Sequence, residues 1–143
     1  MTPTPPDVPP TDAPTDAPLS HVREDGTAHM VDVTGKSETK RIATAQAVLT
    51  TRPDVVARLV DGSLPKGEAL GTARIAGILA AKQTPTLIPL CHPLPLGAIT
   101  VDFETTEAQV TVIARVSTRG VTGVEMEALT AASVAALTLF DMI

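Results

Sequence analysis

Two phenylalanines, Phe103 and Phe140, are the entire aromatic content of the 143 residues; tryptophan and tyrosine are absent. The core must therefore be filled by Ala, Val, Leu and Ile, and side chains this small let backbones approach one another closely. At 43% hydrophobic residues the chain still has enough apolar surface for one ordinary domain. The same shortage excludes a function. Binding single-stranded nucleic acid needs aromatic platforms for the bases and a basic groove for the backbone, and neither is visible.

Charge adds a second constraint. The formal net charge is −5, but residues 1–20 hold Asp7, Asp12 and Asp16 without Lys or Arg, which leaves −2 on the remainder. A polyanionic ligand then gains nothing from the whole-molecule field and needs a local cluster of cations. Residues 1–20 are mostly Pro, Thr, Asp and Ala, too poor in apolar surface to offset the entropy of ordering them. They read as a disordered tail before a single domain over residues 21–143. The lone Cys91 has no partner for an internal disulfide, and the N-terminus lacks the basic start and apolar run of a secretory signal. A cytoplasmic protein is the simplest reading.

The periodicity of the chain sets out its elements. Ala43, Ala45, Ala47 and Leu49 alternate with Ile42, Thr44, Gln46 and Val48, which predicts a strand over residues 41–50 buried on one face. Thr51 before Pro53 and Asp54 reads as a helix N-cap, Val55, Val56, Leu59 and Val60 recur at helical spacing, and Gly62 ends the helix. Residues 68–82 form a second, Ala-rich helix. Gly71 and Gly77 inside it each cost about 1 kcal/mol relative to Ala, so close packing is the expected compensation. Pro89, Pro93 and Pro95 make the apolar stretch 87–96 an ordered, partly buried loop. Two alternating runs, Ile99, Val101, Phe103 and Val110, Val112, Ala114, Val116, predict an antiparallel hairpin with a polar turn over 104–109. Residues 124–143 contain no Gly or Pro and read as a long helix, too polar at its ends to span a membrane. Strand, helix, helix, hairpin, helix is the βαββα portion of a ferredoxin-like α+β fold, an antiparallel sheet with helices on one face and its last strand missing.

Several strings carry a resemblance. They are His29-Met30-Val31-Asp32-Val33, Lys66-Gly67, Thr72-Ala73-Arg74-Ile75-Ala76-Gly77-Ile78, Ile88-Pro89-Leu90-Cys91-His92-Pro93-Leu94, the run from Thr122-Gly123-Val124-Glu125-Met126-Glu127 to Ala131, and Asp141-Met142. In this order and without long gaps, they resemble the MoaC family, the cyclic pyranopterin monophosphate synthases of molybdenum cofactor biosynthesis. The resemblance implies a ferredoxin-like subunit in a hexamer, a trimer of dimers, with active sites between subunits and no cofactor. It implies conversion of 3′,8-cyclo-7,8-dihydro-GTP to cyclic pyranopterin monophosphate with loss of diphosphate. By position, the family's catalytic Asp falls on Asp141, its loop lysine on Lys66, and its substrate contacts on Leu90, Cys91, His92, Met126 and Glu127, with Glu125 in the same motif. The family continues past the Asp-Met pair with a catalytic lysine, a last strand and a Lys- and Gly-rich tail. A stop at Ile143 therefore raises the expectation of either a truncated chain or a member without part of the chemistry.

The chemistry needs acids, bases and cations. Asp141 can accept protons, Lys66 and His92 can donate, and Arg41, Lys66 and Arg74 are candidates to hold phosphates. Each residue also has an ordinary reading. His92 alone would be a hydrogen-bonded loop histidine, Cys91 a small buried hydrophobe with an inert thiol, Lys66 a solvated turn lysine, Arg74 a helix-surface arginine, and Glu125 and Glu127 acids favoured by a helix N-terminus. The family motif favours the functional reading for His92 and Glu127. No pair of ligand types has zinc spacing, and the glycines do not form a phosphate-cradling string. A silent homologue that binds the nucleotide or lends structure, or a regulatory domain permitted by the fold alone, are the readings from other classes. If residues 124–143 form one helix, Glu127 and Asp141 stand about 21 Å apart at roughly 1.5 Å per residue. They should then serve one ligand from two chains, with Ala131, Ala132, Ala135 and Ala136 pairing two such helices across a two-fold axis.

Overall fold

In a computed structural model, residues 19–143 are described. The predicted tail therefore lies almost wholly outside the described residues. The described residues divide into two compact units, residues 19–31 and 32–143. In the first, a tight turn is closed by the Val22 to Ala28 bridge and by Asp25, whose carboxylate accepts from the Thr27 amide at 3.0 Å and its hydroxyl at 2.6 Å.

The second unit follows the order β1 (Thr39–Thr50), α1 (Pro53–Asp61), α2 (Ala69–Lys82), α3 (Thr84–Leu87), β2 (Leu96–Thr105), β3 (Gln109–Gly120) and α4 (Glu125–Met142). Its antiparallel sheet has the order β1-β3-β2, so β3 is central. Among the described residues no strand pairs with the outer edge of β1. The alternation read from the sequence now has a cause. Val110, Val112, Ala114 and Val116 of β3 are buried, while Arg115 between them and Arg119 farther along are exposed, because α2 and α4 cover only one face. This is the predicted α+β arrangement.

Two local readings change. The N-cap of α1 is Arg52, not Thr51, and it makes no side-chain cap. Thr51 is still extended, its amide donating to the Ala108 carbonyl at 2.9 Å, and Pro53 starts the helix where a missing N–H costs nothing. Arg52 instead clasps Asp54 through two hydrogen bonds of 2.9 and 2.8 Å. A one-turn helix, α3, adds an element that the periodicity does not predict. Gly62, in contrast, ends α1 as expected, at φ 77°, a left-handed conformation open to glycine.

The alanines of α4 do not face outward. Ala131, Ala132 and Ala135 are buried and Ala136 packs against the core, so they cannot pair helices across a two-fold axis. They serve the chain's own interior. A Cβ added at Gly77 of α2 would lie 3.0 Å from the Ala131 carbonyl oxygen, 3.1 Å from Ala135 Cβ and 3.2 Å from Val101 Cγ2. The glycine cost inside α2 is thus offset by an intramolecular approach of the two helices. The outward stripe of α4 is instead Met126, Leu129, Leu137 and Phe140.

Candidate active site

The predicted site residues fall into two groups at opposite ends of α4. At its start, Glu127 sits in the first turn with only 3% of its surface exposed, although a glutamate is rarely so covered. It lines a cavity of about 270 Å³ with Ala81, Lys82, Pro85, Pro93, Leu94, Leu96 and Ile99. The prolines of the 88–95 loop and of α3 are what shape this wall. The loop is tied down by the Thr118 hydroxyl, which donates to the Pro95 carbonyl, and by the Cys91 amide, which donates to the Ile88 carbonyl at 3.1 Å. Leu90, Cys91 and His92 are all half-buried along it. Met126 and Glu125 are exposed.

Burial pushes the Glu127 carboxyl above the ordinary range; a backbone hydrogen bond partly opposes this and the nearby Glu125 charge adds to it. Cys91 is raised too, first by burial and then by the negative charge of Glu127. Its thiol stays protonated, which fits a lining role and not a nucleophile. His92 exerts a smaller electrostatic effect on Asp32, whose carboxyl is held low mainly by the Thr34 hydroxyl and amide.

At the far end of α4, Lys66 donates to the main-chain carbonyl of Asp141 and lies 3.3 Å from its carboxylate. Both side chains are exposed, so the pair adds little stability, but an acid–base couple is in place. Asp141 is not among the residues lining the Glu127 cavity. Two of the candidate phosphate ligands are already engaged. Arg41 donates to the Gly120 and Val121 carbonyls at 3.2 and 3.4 Å. Arg74 donates to the Val101 carbonyl at 2.8 Å and stacks 5.4 Å from the centre of the Phe103 ring, so it fastens α2 to strand β2 and is no mere surface arginine.

The sequence profile of the MoaC family matches residues 30–143, which includes both groups. The chain belongs to the MoaC family. Over 125 residues it is 66% identical to the cyclic pyranopterin monophosphate synthase of Corynebacterium glutamicum (strain R), covering 87% of this chain and 80% of that protein. It is 58% identical to cyclic pyranopterin monophosphate synthase 2 of Mycobacterium bovis, over 87% and 75% of the two chains. Similarity extends to the synthase of Syntrophomonas wolfei, at 50% identity over 87% and 80%.

Within this MoaC framework the sequence motifs single out Glu127, which lines the cavity, and residues 90–92, which are not among its lining residues, but pass over Lys82. Lys82 has no distinctive neighbours, and a lysine in the last turn of a helix ordinarily serves only the helix dipole. Its place on the cavity wall appears only in three dimensions.

Glu127 offers a direct test of the site's electrostatics. Its pKa is higher folded than unfolded, so its contribution to stability is present at low pH and is lost as pH rises through the raised value. Glu127→Gln removes that loss. The variant should melt at a higher temperature than the parent at neutral pH, with the gain vanishing below about pH 4, where an ordinary carboxyl is protonated in both states. Thermal melts at the two pH values check this; an equal difference at both would contradict it.

Proposed function

We propose that this chain converts 3′,8-cyclo-7,8-dihydro-GTP to cyclic pyranopterin monophosphate with release of diphosphate, in the cytoplasm, as a homo-oligomer built as a trimer of dimers with sites between subunits. The observation that carries the reading is the division of the site residues between the two ends of α4, with a carboxyl buried in an apolar cavity at one end and a Lys–Asp couple at the other. A buried carboxylate among proline and leucine side chains needs hydrogen-bond donors. The aminopyrimidinone edge of a guanine-derived ring supplies two, side by side.

Closing the cyclic phosphate requires a ribose hydroxyl oxygen to bond to the α-phosphorus while the bond to the bridging oxygen breaks and diphosphate leaves. Asp141 is the base that takes the hydroxyl proton, and Lys66 is the cation that steadies charge on the phosphates. His92, with Leu90 and Cys91 beside it, is assigned to the ring, where the rearrangement calls for proton transfers to nitrogen and oxygen. Oligomer formation is supported by the exposed apolar side chains Met126, Leu129, Leu137 and Phe140 on α4 and Ile75 and Leu79 on α2.

His92→Ala should abolish formation of the pyranopterin product while leaving the circular dichroism spectrum and melting temperature of the parent. Unchanged turnover would remove His92 from the mechanism.

A further inference from the structure

The cavity beside Glu127 has a second charged residue on its wall, and the reaction as outlined gives it no role. Lys82 is exposed in the last turn of α2 and makes no ion pair or hydrogen bond with any described residue. It does not neutralise Glu127 either, since no cation is among the groups acting on that carboxyl. The two charges thus address different parts of whatever fills the space.

The size of the cavity says which parts. About 270 Å³ lies just under the usual range for small-molecule sites of about 300 Å³ and above. It suits a flat bicyclic ring between the Pro85, Pro93, Leu94 and Ile99 side chains, but leaves no room for three phosphates. These must emerge at the mouth. There they meet a chain of net negative charge, so a local cation is required. Arg41 and Arg74 are bound to main-chain carbonyls, and Lys66 stands beside Asp141 at the other end of α4, so within one chain it is not at this cavity and in a shared site it approaches the phosphates from the other subunit. Lys82 is the cation this chain places at the cavity.

We propose that Lys82 is a substrate-contacting residue whose ammonium binds the triphosphate of the nucleotide whose ring occupies the cavity beside Glu127. The proposal rests on the synthase reaction proposed for this chain and adds to it the residue that distinguishes the nucleotide triphosphate from its nucleoside. A lysine suits this task, because its flexible stem lets a compact charge follow phosphate oxygens during the reaction.

The test uses the full chain and two variants, Lys82→Met, which keeps most of the stem, and Lys82→Arg, which keeps the charge. Turnover of the cyclised triphosphate is measured, together with competition by GTP and by guanosine, whose rings are identical. For Lys82→Met, KM should rise roughly tenfold or more, the loss of one charge-assisted contact, with kcat much less affected. GTP should lose its advantage over guanosine as a competitor, and Lys82→Arg should recover most of both. Unchanged KM and an unchanged GTP-to-guanosine ratio would overturn the proposal. So would equal weakening of GTP and guanosine, which would show that Lys82 only shapes the cavity. Absence of turnover by the parent protein would count against the proposed reaction, while the binding ratio measured by displacement would still decide the role of Lys82.

Discussion

Glu127→Ala and Asp141→Ala proteins, each inactive alone, should regain turnover when their subunits are allowed to exchange. Each substitution should cost on the order of a hundredfold or more in rate, as expected for groups that hold or move protons. Helix α4 runs unbroken from Glu125 to Met142, so the two residues stand about 21 Å apart on one rod at roughly 1.5 Å per residue. The cavity lined by Glu127 does not reach Asp141, and Asp141 has Lys66 beside it. If both residues serve one ligand, they come from two chains. A mixed dimer then holds one intact site and one doubly damaged site, and equal amounts of the two variants after full exchange should give roughly a quarter of the parent rate. No recovery, with exchange shown independently by mass-tagged subunits, would mean that the site is not shared.

Gly77→Val should destabilise the fold more than any of the substitutions at the site. The added Cβ alone would press on the Ala131 carbonyl and on Ala135, and the two further methyl groups have the Val101 side chain in their way. Both sides of this contact are rigid, being helix backbone and sheet core, so the strain is not relieved by a rotamer change. Overpacking of this kind costs about 3 kcal/mol, and a domain of this size should lose roughly 10 °C in melting temperature. The gain in helix propensity, under about 1 kcal/mol, does not compensate. Denaturant unfolding that places the variant within a few tenths of a kcal/mol of the parent would contradict the packing described for α2 and α4.

How far the sequence reaches depends on the range of the physics behind each residue. Alternation in β1 and β3, and the end of α1 at Gly62, follow from local geometry, and the structure bears them out. The N-cap of α1 did not follow, because Thr51 is held extended by the carbonyl of Ala108, a partner 57 positions away. The alanines of α4 show the same limit from another side. A stripe of small residues says that something comes close, and only the fold reveals that it is Gly77 of the same chain. For the site, the 90–92 loop and Glu127 were legible as motif residues. The meeting of Glu127 with Pro85 and Pro93 on one cavity, the commitment of Arg41 and Arg74 to carbonyls, and the presence of Lys82 on the wall all depend on long-range placement.

Turnover tests the assigned reaction most directly. Purified protein given 3′,8-cyclo-7,8-dihydro-GTP should consume it and release cyclic pyranopterin monophosphate and diphosphate in equal amounts, followed by chromatography of the product and an enzymatic diphosphate assay. Substrate that binds to the protein and is recovered unchanged, with no diphosphate formed, would contradict the account and leave a nucleotide-binding homologue without catalysis.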